Sequence, residues 1–243
     1  MFKDPHIDGL VCLRGGYGSM RILHRIDYHA IRHNPKVLVG YSDITALQLA
    51  IWKKTRLVTF SGPMLAADLG CEADGNTLKQ FYKALTHPLP LGVIPLAPDV
   101  KAEVINPGRA RGRLVGGNLS LVAATLGTPY EINTRGMILF LEEVNEQPYR
   151  VDRMLRQLRL SGKLQAAAGV VFGKFVGCEA GHSQGSFTLL EVLRETLKEL
   201  KAPCFYGLAV GHMAQKATLP LGVRAEMDAG KCLLVVTEAA TIR

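Results

Sequence analysis

The sequence lacks the features of a disulfide-rich, metal-binding or membrane-spanning protein. Its five cysteines are odd in number and widely scattered, and none forms a Cys-x-x-Cys pair: Cys12, Cys71, Cys178, Cys204 and Cys232. This spacing favours neither a disulfide framework nor a zinc site. No segment approaches the roughly 18 consecutive apolar residues that a membrane span needs, and the first residues, MFKDPHIDG, contain no apolar signal-peptide core. A cytoplasmic location without a membrane partner is the corresponding expectation.

Aromatic residues are also scarce, at 7% of the chain, and they are not interleaved with basic residues. The formal net charge is +8, but the lysines and arginines are spread along the chain in short groups such as Lys53-Lys54. A nucleic-acid-binding motif would concentrate basic side chains beside stacking aromatics. We therefore expect no nucleic-acid partner, and we interpret the charge as a solvated surface that can attract an anionic substrate.

A strand, a tight turn and a helix are predicted at residues 35–52, PKVLVGYSDITALQLAIW. A serine at such a turn can be held exposed beside the free backbone N–H groups of the helix N-terminus, where a nucleophile is useful. The alternative is that Ser42 or Asp43 only caps the helix, because Ser and Asp are preferred N-cap residues. The local sequence leaves both interpretations open.

A similar unit precedes it. Residues 7–13, IDGLVCL, form a short apolar run without clean alternation, which predicts a strand covered on both faces. The following RGGYGS has clustered glycines that let backbone N–H groups approach a ligand, although it matches neither a dinucleotide fingerprint nor a Walker A motif and can be a plain turn. Two strand-helix-strand units predict a parallel α/β arrangement with ligands at the carboxyl ends of the strands. Gly15-Gly16 and Ser42 would then face one crevice.

Candidate acid and base residues follow later strands. Glu142-Glu143 stand at the end of the buried strand predicted at 136–141, and His212 follows a strand and a glycine. With Ser42 they include the three residue types that a triad needs, a nucleophile, a base and an orienting carboxylate, although sequence spacing cannot show that they meet. Each also has a plain alternative, a charged residue at a strand exit or a polar residue in a loop. GYSDI lacks the second glycine of the G-x-S-x-G elbow, so the α/β-hydrolase fold is not supported.

A specific resemblance covers essentially the whole chain, block after block in order. RGGYGSMRIL, PKVLVGYSDITAL, GRLVGGNLSLVAATLGTPYE, LFLEEVNEQPYRVDRMLRQL and GHMAQKATLPLG resemble the LD-carboxypeptidase family of serine peptidases. This family includes murein tetrapeptide LD-carboxypeptidases and microcin C immunity peptidases. One departure is SGPM, where many members have HGPM, so Ser61 replaces a pocket histidine.

The resemblance implies an α/β fold in two domains. An N-terminal, Rossmann-like parallel-sheet domain spans residues 1–88 and bears the nucleophile. A proline-rich linker spans 89–108, and a C-terminal α/β domain with a mixed sheet spans 109–243 and carries the acid and the base. Members of the family have a further strand-helix portion of roughly 60 residues before the equivalent of Met1. This chain is therefore expected to begin inside a truncated first domain.

The resemblance also implies the site residues. The nucleophile is Ser42, the base is His212, and the acid is Glu142, with Glu143 and Glu146 as the alternatives. The oxyanion hole is formed by the backbone N–H groups of Gly16 and Asp43, and neither a metal nor an organic cofactor is required.

The expected activity is hydrolysis of the L,D-amide bond that precedes a terminal D-amino acid in a muropeptide or small peptide, by a homodimer. The alternatives are a peptidyl or acyl-aminoacyl adenylate hydrolase of the microcin C immunity type, and a catalytically impaired binding paralogue.

Overall fold

Two mixed β-sheets organise the chain. The computed structural model describes residues 1–71, 73–179 and 187–241. Within these residues, twelve strands divide into a four-stranded and an eight-stranded sheet. The helices that connect parallel strands cover the sheet faces, as α/β folds require. None of the helices in the described ranges is long and apolar enough to cross a membrane.

The four-stranded sheet holds the predicted strand-helix-strand units. Its strands are β1 (Gly9–Val11), β2 (Val37–Gly40), β3 (Thr59–Ser61) and β10 (Leu219–Leu221), in that order. Its connecting helices are α1 (Ser19–Ile22), α2 (Tyr28–His33) and α3 (Ile44–Thr55). β1, β2 and β3 run parallel, as predicted, whereas β10 is antiparallel to β3 and makes the sheet mixed.

The first strand is not covered on both faces, so that expectation was wrong. β1 lies at the edge of its sheet and pairs only with β2 among the described strands. The first and last residues of the strand are exposed to solvent, and Val11 is 39% exposed. A short apolar run looks the same in the sequence whether its strand lies at the edge or at the centre of a sheet. Hydrophobic periodicity does not show which other elements pack against the strand.

The eight-stranded sheet has a parallel centre and antiparallel flanks. Its strands are β4 (Gly92–Val93), β12 (Leu233–Val236), β11 (Arg224–Asp228), β6 (Arg109–Asn118), β7 (Ile138–Val144), β8 (Gly169–Val176), β9 (Cys204–Leu208) and β5 (Glu103–Asn106), in that order. The neighbours from β6 to β9 are parallel, and the other pairs are antiparallel. The mixed sheet expected for the C-terminal half is confirmed.

Helices pack on this second sheet through apolar side chains at helical spacing. They are α4 (Gly75–Thr86), α5 (Leu119–Ala124), α6 (Pro148–Leu160), α7 (Lys163–Ala166) and α8 (Leu189–Leu197). In α6, Val151, Leu155 and Leu158 are fully buried against the sheet. Their spacing of three and four residues places them on one face of the helix.

The apolar core on the opposite face joins the two sheets. Val39 and Phe60 of the first sheet and Leu219 of β10 share one buried cluster with Leu114 and Phe140 of the second sheet. A strand from beyond residue 108 thus completes the N-terminal sheet. The boundaries at residues 88 and 108 stay a prediction.

Candidate active site

The turn between β2 and α3 holds Ser42 in a strained conformation. Its φ angle is 62°, in the left-handed region that residues other than glycine rarely adopt. No capping hydrogen bond from a backbone N–H of α3 is accepted by the side chain of Asp43, its N-cap residue, and none is found for Ser42 among the described residues. The Asp43 carboxylate instead accepts a 2.9 Å hydrogen bond from the backbone N–H of Ser19, at the start of α1. The capping alternative is therefore not what the structure contains, and left-handed residues of this kind cluster at functional sites.

Two sets of contacts hold this turn in place, the hydrogen bonds of Gln48 and the close approach of Gly15. The Gln48 amide donates to the carbonyl oxygens of Gly40 and Phe60, at 2.9 and 2.8 Å, and so ties the ends of β2 and β3 together. Gly15 lies directly against Ser42, because a Cβ at position 15 would stand 2.9 Å from Ser42 Cβ and 3.0 Å from Oγ. A glycine is needed there for the RGGYG loop to approach the serine.

Glu142 and His212 meet across 70 residues of sequence. Glu142 Oε2 lies 2.7 Å from His212 Nδ1, and the glutamate is fully buried. A contact this short between a carboxylate and an imidazole is a charge-assisted hydrogen bond, which fixes the orientation of the ring. Gly211 permits the approach, since its φ is +102° and a Cβ there would stand 2.5 Å from Glu142 Oε2. The second oxygen, Oε1, is buried without a partner among the described residues.

The alternative acids contact other groups. Glu143 accepts hydrogen bonds from Asn118 Nδ2, Ser120 N and Ser120 Oγ at 2.8, 2.8 and 2.6 Å, and from the N–H of Val144 at 2.9 Å. It therefore binds the N-terminus of α5, where a carboxylate is favourable. Burial raises the pKa of Glu143, against the lowering effect of these hydrogen bonds. Glu146 forms an ion pair with Arg150, one helical turn later.

Ser42 and His212 line one cleft of about 380 Å³, together with Arg14, Gly15, Gly16 and Met64. Of the hydrogen bonds between described residues, none joins Ser42 Oγ to the His212 ring; such contacts are often long before substrate binds. Gly16 borders the cleft with a φ of +129°. Asp43 stands at the N-cap of α3, where the first backbone N–H groups have no helical acceptor. Ser42, His212 and Gly16 thus line one cleft, Glu142 contacts His212 and Asp43 directly follows Ser42.

A metal site is not evident beside this cleft. Within residues 1–71, 73–179 and 187–241, no group of three or more His, Cys, Asp or Glu side chains is arranged to hold a metal ion.

Comparison with known proteins identifies the family. Residues 1–62 match the LD-carboxypeptidase N-terminal domain, and residues 111–227 match the LD-carboxypeptidase C-terminal domain. A Bacillus subtilis protein named "Probable murein peptide carboxypeptidase" is 41% identical over 237 residues, which are 97% of this chain and 73% of that protein. The chain belongs to the LD-carboxypeptidase family. The resemblance of the sequence motifs is confirmed.

Further LD-carboxypeptidase relatives include both kinds of protein named by that resemblance. The microcin C7 self-immunity protein MccF of Escherichia coli is 30% identical over 263 residues, covering 97% of this chain and 75% of MccF. The crystal structure of muramoyltetrapeptide carboxypeptidase from Oxalobacter formigenes superposes with a TM-score of 0.87 at 32% identity, covering 98% of this chain and 81% of that one. The α/β fold of the LD-carboxypeptidases is therefore shared over nearly the whole chain.

The sequence did not reveal two charged residues that lie next to this LD-carboxypeptidase cleft. Lys216 Nζ lies 2.5 Å from Asp68 Oδ1 and 3.0 Å from the Tyr41 hydroxyl, behind the cleft wall. Asp68 is 148 residues away in sequence, and no motif links the two positions. Ser61, noted as a departure from the family pattern, is buried in β3 opposite Leu219 of β10.

Proposed function

We propose that this chain is a serine-type LD-carboxypeptidase that hydrolyses the L,D-amide bond preceding the terminal D-amino acid of murein tetrapeptides. Peptidoglycan recycling in the cytoplasm is the setting we infer for it. The observation that carries the proposal is the buried 2.7 Å contact between Glu142 and His212 at the cleft that Ser42 also lines. A carboxylate, an imidazole and a strained serine at one cleft are the components of acyl transfer.

In the proposed mechanism, His212 accepts the proton of the Ser42 hydroxyl while Ser42 Oγ bonds to the amide carbonyl carbon. Glu142 orients the imidazolium and stabilises its charge, and the N–H groups of Gly16 and Asp43 stabilise the developing oxyanion. The C–N bond then breaks, and His212 returns the proton to the amine of the departing D-amino acid. A water molecule, deprotonated by His212, attacks the acyl-enzyme and frees Ser42.

Arg14 is the side chain we assign to the terminal carboxylate of the substrate. It is exposed and lines the cleft beside Gly15. Lys216, another cation near the cleft, is buried and paired with Asp68, so it is not free to meet a ligand. Arginine can bind a carboxylate with two parallel N–H···O bonds, which suits recognition of a chain terminus.

Incubation with L-Ala-D-Glu-meso-diaminopimelate-D-Ala tetrapeptide tests the proposal, with released D-alanine measured by mass spectrometry. We expect release by the wild-type protein and by Ser161→Ala, a control at the end of α6. Ser42→Ala should release none. Release by Ser42→Ala at the wild-type rate would refute the serine mechanism.

A second candidate function is hydrolysis of an acyl-aminoacyl adenylate. The similarity to MccF favours it, since structures of MccF contain aspartyl sulfamoyl adenosine and glutamyl sulfamoyl guanosine. Parallel assays of kcat/KM on the tetrapeptide and on an aminoacyl adenylate would separate the two substrates. A folded protein that cleaves neither would support an impaired binding paralogue. The homodimer is also a proposal, which light scattering during size-exclusion chromatography would test.

A further inference from the structure

A buried ammonium group lies behind the cleft and has no part in the mechanism above. The side chain of Lys216 is 3% exposed, and its Nζ contacts the Asp68 carboxylate and the Tyr41 hydroxyl. The same nitrogen lies 4.3 Å from the centroid of the Tyr41 ring. Desolvation lowers the pKa of Lys216, while the carboxylates of Asp68 and Glu142 act in the opposite direction. The net effect lowers the pKa of Lys216, and the two carboxylates offset part of the effect of burial.

Lys216, Asp68 and Tyr41 belong to three different segments around the cleft, each of which also contributes a lining residue. Lys216 lies four residues after His212 in the loop between β9 and β10. Asp68 belongs to a π-helical turn, Leu65–Leu69, whose Ala66 and Ala67 line the cleft. Tyr41 immediately precedes Ser42 in the β2–α3 turn. One ammonium thus joins the loop of the base, the turn of the nucleophile and the wall beside them.

Tyr41 contacts both Lys216 and the imidazole ring of His212. Its ring meets the His212 ring edge-on, with 4.8 Å between the centroids and 72° between the planes. Edge-to-face contact at this distance restricts the orientation of both rings. The Tyr41 hydroxyl accepts a 3.0 Å hydrogen bond from Lys216 Nζ and donates a longer one, 3.3 Å, to Asp68 Oδ1. Loss of the ammonium would therefore loosen the ring against which His212 packs.

The backbone at Lys216 is held independently of its side chain. The Lys216 N–H donates to Thr77 Oγ1 of α4 at 3.1 Å, and that hydroxyl donates to the Ala214 carbonyl at 3.2 Å. The base of the loop is closed by a 2.7 Å hydrogen bond from Ala217 N to Ala209 O. Removing the ammonium should therefore leave the path of the loop largely unchanged.

We propose that Lys216 is a positioning residue, which keeps His212 and Ser42 in reacting geometry through its contacts with Tyr41 and Asp68. This inference rests on the proposed function. A buried ion pair is weak as a source of stability, because desolvation of the charges offsets their attraction. Lys216 instead joins the segments that carry His212 and Ser42, and such a contact can hold the catalytic groups in their reacting geometry.

Lys216→Met tests the proposal, with Lys163→Met as the matched control. Lys163 also forms a partly buried ion pair, 3.0 Å from Glu131. Unlike Lys216, which contacts Tyr41, its side chain has no hydrogen bond to a cleft-lining residue among the described residues. We expect kcat on the tetrapeptide to fall about ten- to a hundredfold in Lys216→Met, the scale of a displacement of about 1 Å. KM should stay within about threefold of wild type, since Lys216 does not contact the substrate. An equal loss of kcat in Lys163→Met would overturn the proposal.

A double variant separates a loss of positioning from a loss of stability. Lys216→Met leaves Asp68 as an uncompensated charge, whereas Lys216→Met with Asp68→Asn removes both charges and should regain stability. The Tyr41 hydroxyl then keeps only its longer hydrogen bond to residue 68, which is 3.3 Å in the wild-type protein, and loses the 3.0 Å contact with the ammonium, so kcat should remain low. Recovery of the wild-type kcat in the double variant would overturn the positioning role.

The rate of Ser42 phosphonylation by a fluorophosphonate probe separates this inference from the choice of substrate. The serine displaces fluoride from phosphorus, and the reaction needs the same base but no peptide. If the wild-type protein reacts with the probe without cleaving the tetrapeptide, the proposed substrate is wrong. Slower labelling of Lys216→Met and of the double variant would still support the positioning role. Wild-type labelling rates in both would refute it.

Discussion

Adjacent glutamates on β7 provide a matched pair of substitutions that tests the assignment of the acid. Glu142 contacts His212 and Glu143 binds the start of α5, although both are buried and only one residue apart. Glu142→Gln and Glu143→Gln each remove one negative charge at nearly constant volume. We expect the first to affect mainly the rate of reaction and the second mainly the stability of the fold.

The expected loss in Glu142→Gln follows from the 2.7 Å contact. The amide oxygen can still face Nδ1, with its NH₂ group in the place of the partnerless Oε1. The ring then keeps its orientation, and the main loss is the attraction between carboxylate and imidazolium. For charges about 4 Å apart at an effective dielectric constant of about 20, this attraction is about 4 kcal/mol. That energy corresponds to a fall in kcat of about 10³-fold.

The expected loss in Glu143→Gln follows from its four donors: Asn118 Nδ2, Ser120 N, Ser120 Oγ and Val144 N. The amide NH₂ of glutamine cannot accept, so the donors on one side of the former carboxylate lose their acceptor. An unsatisfied buried donor costs about 1–3 kcal/mol, so we expect a free energy of unfolding lower by about 2–4 kcal/mol. The activity of the folded protein should change only a few-fold.

Urea unfolding gives the free energy of unfolding, and D-alanine release gives the rate; both are measured on the same preparations. The buried group at the place of Glu142 Oε1 has no partner among the described residues before or after the substitution, so Glu142→Gln should unfold near the wild-type midpoint. It should release D-alanine about 10³ times more slowly. The reasoning is refuted if stable Glu143→Gln protein loses the rate while Glu142→Gln keeps it.

Ser42→Gly should be inactive and about 1 kcal/mol more stable than inactive Ser42→Ala, because glycine relieves the left-handed strain; equal urea midpoints would contradict this. Gly116→Ala should lose more than about 3 kcal/mol, since its Cβ would stand 1.8 Å from Phe140 O at a φ of +135°. Gly127→Ala, with open space around it and a φ of +74°, should cost only about 1 kcal/mol in thermal unfolding. Arg14→Gln should raise KM for the tetrapeptide about tenfold or more and leave KM for its C-terminal amide unchanged, if arginine binds the carboxylate.

The elements around Ser42 could be predicted because their signals are local. An apolar run, a Gly-containing turn and a run of helix formers lie within residues 35–52, and the structure contains β2, the turn and α3 there. The placing of Gly15-Gly16 and Ser42 at one crevice followed from the ends of neighbouring parallel strands, whereas the meeting of Ser42 and His212 was implied only by the family resemblance. The choice of Glu142 over Glu143 came from the family resemblance, because neighbours on a strand differ only in the face they occupy.

The remaining features depend on contacts between distant segments. β10 is a three-residue strand, LPL, and its pairing with β3 is set by the packing of Leu219 in the core shared by the two sheets. The exposure of β1 depends on which strands flank it. The contact of Lys216 with Asp68 needs both the loop after β9 and the π-helical turn in place. None of these leaves a periodic pattern in the sequence.

The late position of β10 in the chain has a consequence for synthesis on the ribosome. β1, β2 and β3 lie close together in the sequence, but the strand that pairs with the free edge of β3 is synthesised about 160 residues later. Until then that edge is an unpaired template for another chain. Because the His212 loop runs from β9 directly into β10, closing this edge brings the base to the serine in the same step. A nascent chain would thus remain inert until its sheet is complete.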